Sequence, residues 1–156
     1  MKKNKVIFLT GCNGQLGTSL SETFIKGNWK VFGLDIHKKK SNSKIFEYVS
    51  GSVAKRESFI QLFSKAEKLL NSESDYCLIN NAGTTVFSPS EERTYEEFLN
   101  VSEVNLLGPI FGITEFYKYF YKENNFKNIN LQIINIASIY GLISPNKSIY
   151  TDTARS

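Results

Sequence analysis

Short apolar runs alternate with stretches of helical spacing along most of the chain. The first run, KVIFLTG at 5–11, ends in glycine, and QLGTSLSETFIKGN at 15–28 then places apolar residues at helical spacing. The alternation predicts strands at 5–11, 30–35, 44–51, 75–83 and 131–138, and helices at 15–28, 55–71 and 95–123, the last with a bend at Gly108 and Pro109. Strands that are apolar on both faces and separated by helices are typical of a parallel sheet covered on both sides. The pattern therefore predicts an α/β fold with a doubly wound parallel sheet.

Length and composition indicate one soluble domain over residues 1–156. The chain has 156 residues, of which 41% are hydrophobic and 22% charged, so it can bury a core. The apolar run at 6–10 is too short for a signal peptide or a membrane span. Cys12 and Cys77 form no CxxC pair and have no neighbouring histidine, so we expect no metal site and a cytoplasmic location.

The net charge of +4 makes nucleic acid a candidate partner, and the distribution of lysines tests that idea. The densest basic run is HKKKSNSK at 37–44, which contains no aromatic residues or glycines of the kind that single-strand binders use. A solvated loop is therefore favoured over a polyanion site. We expect neither nucleic acid nor a membrane as a partner.

The turn after the first strand carries the most informative chemistry. TGCNGQLG places Gly11, Gly14 and Gly17 between a strand and a helix, where a dinucleotide pyrophosphate needs bare backbone and a helix N-terminus. Ordinary turns also contain glycines, so the triplet alone is a weak signal. Asp35 ends the second strand, where a carboxylate accepts hydrogen bonds from ribose hydroxyls and repels a 2′-phosphate. The sequence therefore predicts NAD rather than NADP as cofactor, although the lysines at 38–40 weaken that preference.

Four motifs are similar to those of the short-chain dehydrogenase/reductase family. They are TGCNGQLG, NNAG at 80–83, VNLLGPIFG at 104–112 and INIASIYG at 134–141. The resemblance they carry extends over nearly all of the chain. The resemblance implies a Rossmann-like doubly wound sheet with strand order 3-2-1-4-5. It also implies hydride transfer between NAD(P) and a carbonyl or secondary alcohol of a small-molecule substrate.

The same resemblance implies roles for individual residues. Ser138 would hydrogen-bond the substrate oxygen, and Asn105 would hold a water in the proton relay. Contacts with the cofactor are implied for Thr10, Gly11, Asn13, Gly14, Gln15, Leu16, Gly17, Asp35, Ser52, Val53, Asn81, Ala82 and Gly83.

Two positions depart from the family pattern. The loop reads GxxGxxG, as in the extended branch of epimerases and dehydratases, whereas members with NNAG more often have GxxxGxG. Ser52, next to Val53, stands where an aspartate usually meets the adenine ring. Both departures are compatible with dinucleotide binding, but they leave its affinity undefined. The NNAG motif, which extended-type epimerases usually lack, disfavours that class of enzyme.

The proton donor of the family is a tyrosine about 13 residues after the serine, and a lysine four positions further lowers its pKa. Tyr150 has Ala154 at that position. SIYGLISPNKSIYTDT is similar to a subgroup linked to surface-polysaccharide and flagellin sugars, in which the Tyr and Lys pair follows an insertion. We therefore expect Tyr150 to be a loop residue. We also expect the chain to be a truncated member of this family, since complete members have roughly 250 residues.

Two further expectations concern surfaces. The strand at 131–138 would form an exposed apolar edge of the sheet. FYKYFYKENNF at 116–126 places aromatic residues on more than one face of the long helix. That pattern fits either core packing with exposed tyrosines or a homo-oligomer interface through helix 95–123.

Two hypotheses of function follow. In the first, the chain is the N-terminal part of an NAD(P)-dependent oxidoreductase that acts on a sugar-derived substrate, and the chain itself is inactive because it lacks the Tyr and Lys pair. In the second, it is a naturally short protein that binds the dinucleotide or a partner subunit without catalysis. The second hypothesis predicts a soluble, folded protein of 156 residues that binds NAD, and insoluble or unfolded material would count against it.

Overall fold

The computed structural model describes residues 4–38, 44–69, 74–123 and 130–143. The strands are β1 (Lys5–Thr10), β2 (Lys30–Asp35), β3 (Glu47–Ser50), β4 (Asp75–Asn80) and β5 (Asn130–Asn135). The helices are α1 (Gln15–Lys26), α2 (Arg56–Ser64), α3 (Tyr95–Ser102) and α4 (Gly108–Tyr117). All strand pairs are parallel, and the sheet has the order β3-β2-β1-β4-β5. The predicted fold class and strand order are therefore confirmed.

The central strand β1 sends alternate side chains into two cores. Val6 and Phe8 belong to a cluster that contains side chains of α2 and α4, whereas Ile7 and Leu9 belong to a second cluster against which α1 packs. All four side chains are at most 1% exposed. Because side chains alternate along a strand, a strand buried on both faces reads as a continuous apolar run, as β1 does.

Phe8 is the centre of an aromatic group in the first core. Its ring centroid lies 5.0 Å from that of Phe63 on α2, 6.0 Å from Phe116 on α4 and 5.6 Å from Phe120 beyond α4. The neighbouring rings of Tyr117 and Tyr121 instead stack on each other in solvent, 52% and 55% exposed. The aromatic segment thus packs into the core and also presents tyrosines at the surface, as the first of the two interpretations predicts.

Helix α2 is shorter than the sequence predicts. It ends at Ser64, and a 3₁₀ helix follows at Glu67–Leu69. The Ser64 hydroxyl donates to the Gln61 carbonyl at 2.9 Å, and the Leu69 N–H donates to the Ala66 carbonyl at 2.8 Å. Such short-range bonds compete with the α-helical pattern and tighten its end. The predicted helix over 55–71 is therefore wrong at its C-terminal end, and residues 70–71 lie outside the described ranges.

The long helix predicted over 95–123 is present but changes its winding twice. The π-helical stretch Glu103–Leu107 joins α3 to α4, and a second one follows at Lys118–Glu123. Where the sequence predicts a bend, a π-helical stretch precedes Pro109, which has no N–H to donate and whose ring crowds the carbonyl four residues earlier. None of the helices in the described ranges combines the length and apolar character needed to cross a bilayer.

Strand β5 lies at one edge of the sheet and is largely exposed. Ile133 and Ile134 of β5 are 41% and 42% exposed, and Ile136, directly after the strand, is 46% exposed, although β5 pairs with β4 along its whole length. The expected exposed apolar edge strand is thus present among the described residues.

Candidate functional site

A pocket of about 520 Å³ opens at the carboxyl ends of the parallel strands. In open parallel sheets this edge is where ligands bind, at the point where the strand order reverses. The predicted cofactor residues that line the pocket are Gly11, Gly14, Gln15, Leu16, Gly17, Asp35, Ser52, Val53, Asn81, Ala82 and Gly83. The fold therefore brings together residues from four separate segments of the chain.

Two of the three glycines of the first turn are required by close backbone contacts. Gly11 has a φ of +64°, and a Cβ there would lie 2.8 Å from Cα of Ala82. A Cβ on Gly17 would lie 2.1 Å from the Gly11 carbonyl oxygen. Gly14 is different, since its nearest contact would be the Gly11 oxygen at 3.3 Å. Gly11 and Gly17 therefore shape the loop, while Gly14 keeps the pocket wall bare.

Helix α1 begins beside the pocket with bare N–H groups. Its N-cap is Gly14, which has no side chain to cap the helix, and its first turn contains no acidic residue. The first N–H groups of a helix have no partner within the helix, and the helix dipole favours negative charge there. This end of α1 is therefore suited to a pyrophosphate.

Asp35 ends β2 with its carboxylate held by two backbone N–H groups. Asn13 N–H donates to Oδ2 at 2.9 Å, and His37 N–H donates to Oδ1 at 3.0 Å. The residue is 8% exposed and lines the pocket. The carboxylate is thus fixed in direction, with lone pairs left to accept bonds from ribose hydroxyls.

Thr10 is buried between the glycine loop and the NNAG motif. Its hydroxyl oxygen accepts from the N–H groups of Asn81 and Ala82, each at 3.0 Å, and the hydroxyl donates to the Ile79 carbonyl at 3.4 Å. The side chain of Asn81 donates to the Gly11 carbonyl at 3.2 Å. Thr10 therefore supports two walls of the pocket from behind.

Ser52 and Val53 follow β3 at the end of the pocket near Asp35. Ser52 Oγ accepts from the Ala54 N–H at 3.1 Å, which leaves its own proton free to be donated to a ligand. Val53 is 6% exposed, and a Cβ on Gly108 would lie 2.9 Å from its Cγ2. Ser52 can thus offer a polar contact, while Val53 packs α4 against the sheet.

Asn105 lies in the first π-helical stretch and clamps the backbone of Thr84. Its Oδ1 accepts from the Thr84 N–H, and its Nδ2 donates to the Thr84 carbonyl, both at 2.8 Å. Thr84 follows the NNAG motif and lines the pocket. The amide retains one N–H and one lone pair, which is what binding a water requires.

Ser138 follows β5 as the N-cap of the 3₁₀ helix Ile139–Gly141. Its Oγ accepts from the Tyr140 N–H at 3.2 Å, so its hydroxyl proton is available to another oxygen. Neither Ser138 nor Asn105, the two predicted catalytic residues, is among the residues that line the pocket. Tyr150 and Ala154 lie outside the described residues.

Several residues at the pocket were not predicted. Leu34, Ile36, His37, Gly51, Thr84, Asn100 and Val104 also line it. Most of them adjoin a predicted residue at the carboxyl end of a strand, and that position was an available signal. Asn100 and Val104 lie four residues apart on the long helix, so they share one helical face.

The chain is similar in sequence to known dehydrogenases. A family model described as short chain dehydrogenase matches residues 5–153. Retinol dehydrogenase 7 of Mus musculus is 29% identical over 114 residues, which are 69% of this chain and 36% of that protein. The NADP-dependent (R)-specific alcohol dehydrogenase of Lentilactobacillus kefiri is 26% identical over 149 residues, 90% of this chain and 57% of that protein.

Solved structures show the same fold. A short chain dehydrogenase from Leptospira borgpetersenii with bound NAD+ superposes with a TM-score of 0.77 at 33% identity, covering 94% of this chain and 56% of that one. The 4-hydroxyisoleucine dehydrogenase complexed with NADH gives a TM-score of 0.70 at 27% identity, covering 91% of this chain and 59% of that one. The chain thus spans about half the length of such relatives.

Proposed function

Because the chain belongs to the short-chain dehydrogenase/reductase family, whose model matches residues 5–153, we propose that its pocket binds NAD for hydride transfer. The observation that carries this proposal is the pocket itself. It joins the bare start of α1, the tight glycine loop and the fixed carboxylate of Asp35. These three features match the pyrophosphate and the adenosine ribose of a dinucleotide.

Asp35 favours NAD over NADP. Its carboxylate would accept bonds from the ribose hydroxyls, whereas a 2′-phosphate would bring two negative charges together in a partly buried place. The relatives with bound NAD+ and with NADH, at 33% and 27% identity, support this choice. The alcohol dehydrogenase of Lentilactobacillus kefiri is NADP-dependent, so the family alone does not decide the cofactor.

Ser138 and Asn105 are the residues of this chain that we assign to the reaction. NAD, when bound, supplies the nicotinamide that accepts or returns a hydride. The Ser138 hydroxyl, whose oxygen accepts from the Tyr140 N–H, would donate a hydrogen bond to the substrate oxygen and stabilise negative charge that develops there. Asn105 would hold a water of the proton relay while its amide keeps Thr84 in place.

We propose a carbonyl or secondary alcohol as the reacting group, and a sugar-derived molecule as the substrate class. The second choice is supported only by the segment SIYGLISPNKSIYTDT, most of which lies outside the described residues. We further propose that the exposed, stacked Tyr117 and Tyr121 contribute to a homo-oligomer interface on the long helix.

Calorimetric titration of the purified protein with NAD and NADP tests the cofactor proposal. We expect saturable NAD binding, tighter than that of NADP, and an NAD Kd about 10- to 100-fold higher in Asp35→Ala, because hydrogen bonds to a charged group are lost. Asp75→Ala is the matched control, since Asp75 begins β4 at the opposite edge of the sheet and bonds there to Asn130.

The absence of saturable NAD binding would contradict the proposal. If full-length protein binds NAD but changes nicotinamide absorbance with none of the keto sugars, sugar nucleotides and simple secondary alcohols, a dinucleotide-binding protein without catalysis is favoured instead.

A further inference from the structure

The side chain of Asn13 is at a junction of three chain segments. Its Nδ2 donates to the Lys38 carbonyl and to Tyr48 Oη, both at 3.0 Å, and lies 3.5 Å from the His37 carbonyl oxygen. Asn13 belongs to the glycine loop, His37 and Lys38 follow β2, and Tyr48 lies on β3. The amide therefore joins the phosphate-binding turn to the segment that follows Asp35.

Tyr48 completes this junction from the β3 side. Its hydroxyl donates to the His37 carbonyl and accepts from Asn13. Its ring packs against the buried cluster that contains Cys12 and Ile45. Burial, followed by the neighbouring Cys12 and Asp35, raises the pKa of Tyr48 to about 12. The hydroxyl therefore remains a proton donor throughout the physiological pH range.

We call this arrangement the Tyr48 latch, made of Tyr48, the Asn13 amide and the carbonyls of His37 and Lys38. The two residues that the latch holds together, Asn13 and His37, are also the two whose N–H groups donate to Asp35. The latch thus fixes the donors that orient the carboxylate, although Tyr48 is not among the residues that line the pocket.

We propose that Tyr48 is a positioning residue for the adenosine ribose, which acts through His37 and Asn13 on Asp35 and so sets the preference for NAD over NADP. This inference rests on the proposed binding of NAD. With the latch intact, the carboxylate is held where ribose hydroxyls reach it and a 2′-phosphate is repelled. Without it, the turn at 36–38 is free to move away from Asp35, so NAD loses affinity while NADP meets less repulsion.

The test compares Tyr48→Phe with Tyr76→Phe by calorimetric titration with NAD, NADP and 5′-AMP. Tyr76 is the matched control because its hydroxyl also donates to a backbone carbonyl, that of Leu69 at 3.2 Å, in another part of the fold. We expect Tyr48→Phe to raise the Kd for NAD and 5′-AMP about threefold to tenfold, the effect of one hydrogen bond. We also expect the ratio of the NADP Kd to the NAD Kd to fall by a similar factor. Tyr76→Phe should leave this ratio unchanged, even if it lowers the melting temperature.

A second variant separates positioning from general stability. Asn13→Ala removes the other half of the latch, and its effect on the cofactor ratio should not add to that of Tyr48→Phe, because both act through one network. An unchanged cofactor ratio in Tyr48→Phe would overturn the inference while leaving NAD binding intact. If the unaltered protein binds no NAD, both this inference and the proposed function fail.

Discussion

At the scale of single residues, the glycine loop is the part of the site where the least change is tolerated. The Cβ of an alanine at 17 would overlap the Gly11 carbonyl, at 2.1 Å, and Cα of Cys12, at 2.8 Å. Both atoms belong to the backbone, so relief requires movement of the loop itself.

Gly17→Ala is therefore expected to lower the free energy of unfolding by about 2–3 kcal/mol, as for an overpacked core, and to abolish detectable NAD binding. Urea denaturation followed by circular dichroism measures the first effect and calorimetry the second. Gly141→Ala is the control, because a Cβ there would have no atom within 4 Å. Equal stability of the two variants would show that the loop is not constrained as described.

At the scale of elements, α2 and α4 are joined by a charged cluster around Glu115. Its Oε1 accepts from Arg56 Nη1 at 2.7 Å and from Lys118 Nζ at 2.9 Å, and the residue is 7% exposed. Arg56 also lies over the Phe111 ring, 4.4 Å from its centroid. Burial acts to raise the pKa of Glu115, but the hydrogen bonds and charges of Lys118 and Arg56 outweigh it and lower that pKa.

The lowered pKa predicts how stability depends on pH. A carboxyl whose pKa is lower in the folded state stabilises the protein above its unfolded pKa of about 4.3, and this contribution is lost as pH falls through the folded value. We expect Glu115→Gln to cost about 1–2 kcal/mol near neutral pH, less than a fully buried pair because Arg56 is 42% exposed. The difference from the unaltered protein should shrink below pH of about 4.

Urea denaturation at several pH values measures this difference. Glu91→Gln, at an exposed glutamate of a short 3₁₀ helix, is the matched control and should show neither effect. A Glu115→Gln deficit that grows as the pH falls would contradict the assignment.

The sequence predicted elements well where their signals are local. The alternation of apolar residues located all five strands, although the predicted ranges 44–51, 75–83 and 131–138 extend beyond β3, β4 and β5. The turn glycines were sufficient for the start and end of α1. The end of α2 was missed because the bonds of Ser64 and Leu69 depend on how the chain turns after the helix. The π-helical stretch at Glu103–Leu107 was missed because it coincides with the contact of Asn105 with Thr84, 21 residues away.

The same reasoning applies to the site. Gly11, Gly17 and Asp35 could be identified because their roles follow from the residue type at the end of a strand or the start of a helix. Tyr48 could not, because its role depends on Asn13, 35 residues earlier in the chain. Contacts between segments that are distant in sequence leave no local pattern.

At the scale of the whole molecule, β5 forms an exposed apolar edge of the sheet in the part of the chain that the structure describes. Ile134 and Ile136 are both about half exposed, at 42% and 46%, and as alternate residues they share one face. An apolar edge strand with unpaired backbone groups is a template for association with another chain.

A protein of these 156 residues is therefore expected to self-associate as its concentration rises, and Ile134→Lys should shift it towards the monomer. Sedimentation velocity over a range of concentrations measures both. Ile60→Lys is the control, since Ile60 lies on α2 and is 51% exposed but distant from this edge. A monomer at every concentration, or the same effect from both variants, would contradict the role of β5.

The π-helical stretch Glu103–Leu107 fixes the number of residues that can lie between α3 and α4. Each residue advances an α-helix by about 100° of rotation, so deleting one residue from this turn would rotate the following segment by that angle relative to α3. Asn105 could then face Thr84, or Phe116 and Phe120 could face Phe8, but not both at once. The extra residue therefore allows the Asn105–Thr84 contact and the packing around Phe8 to form together, and single-residue insertions or deletions here should be far more harmful than substitutions.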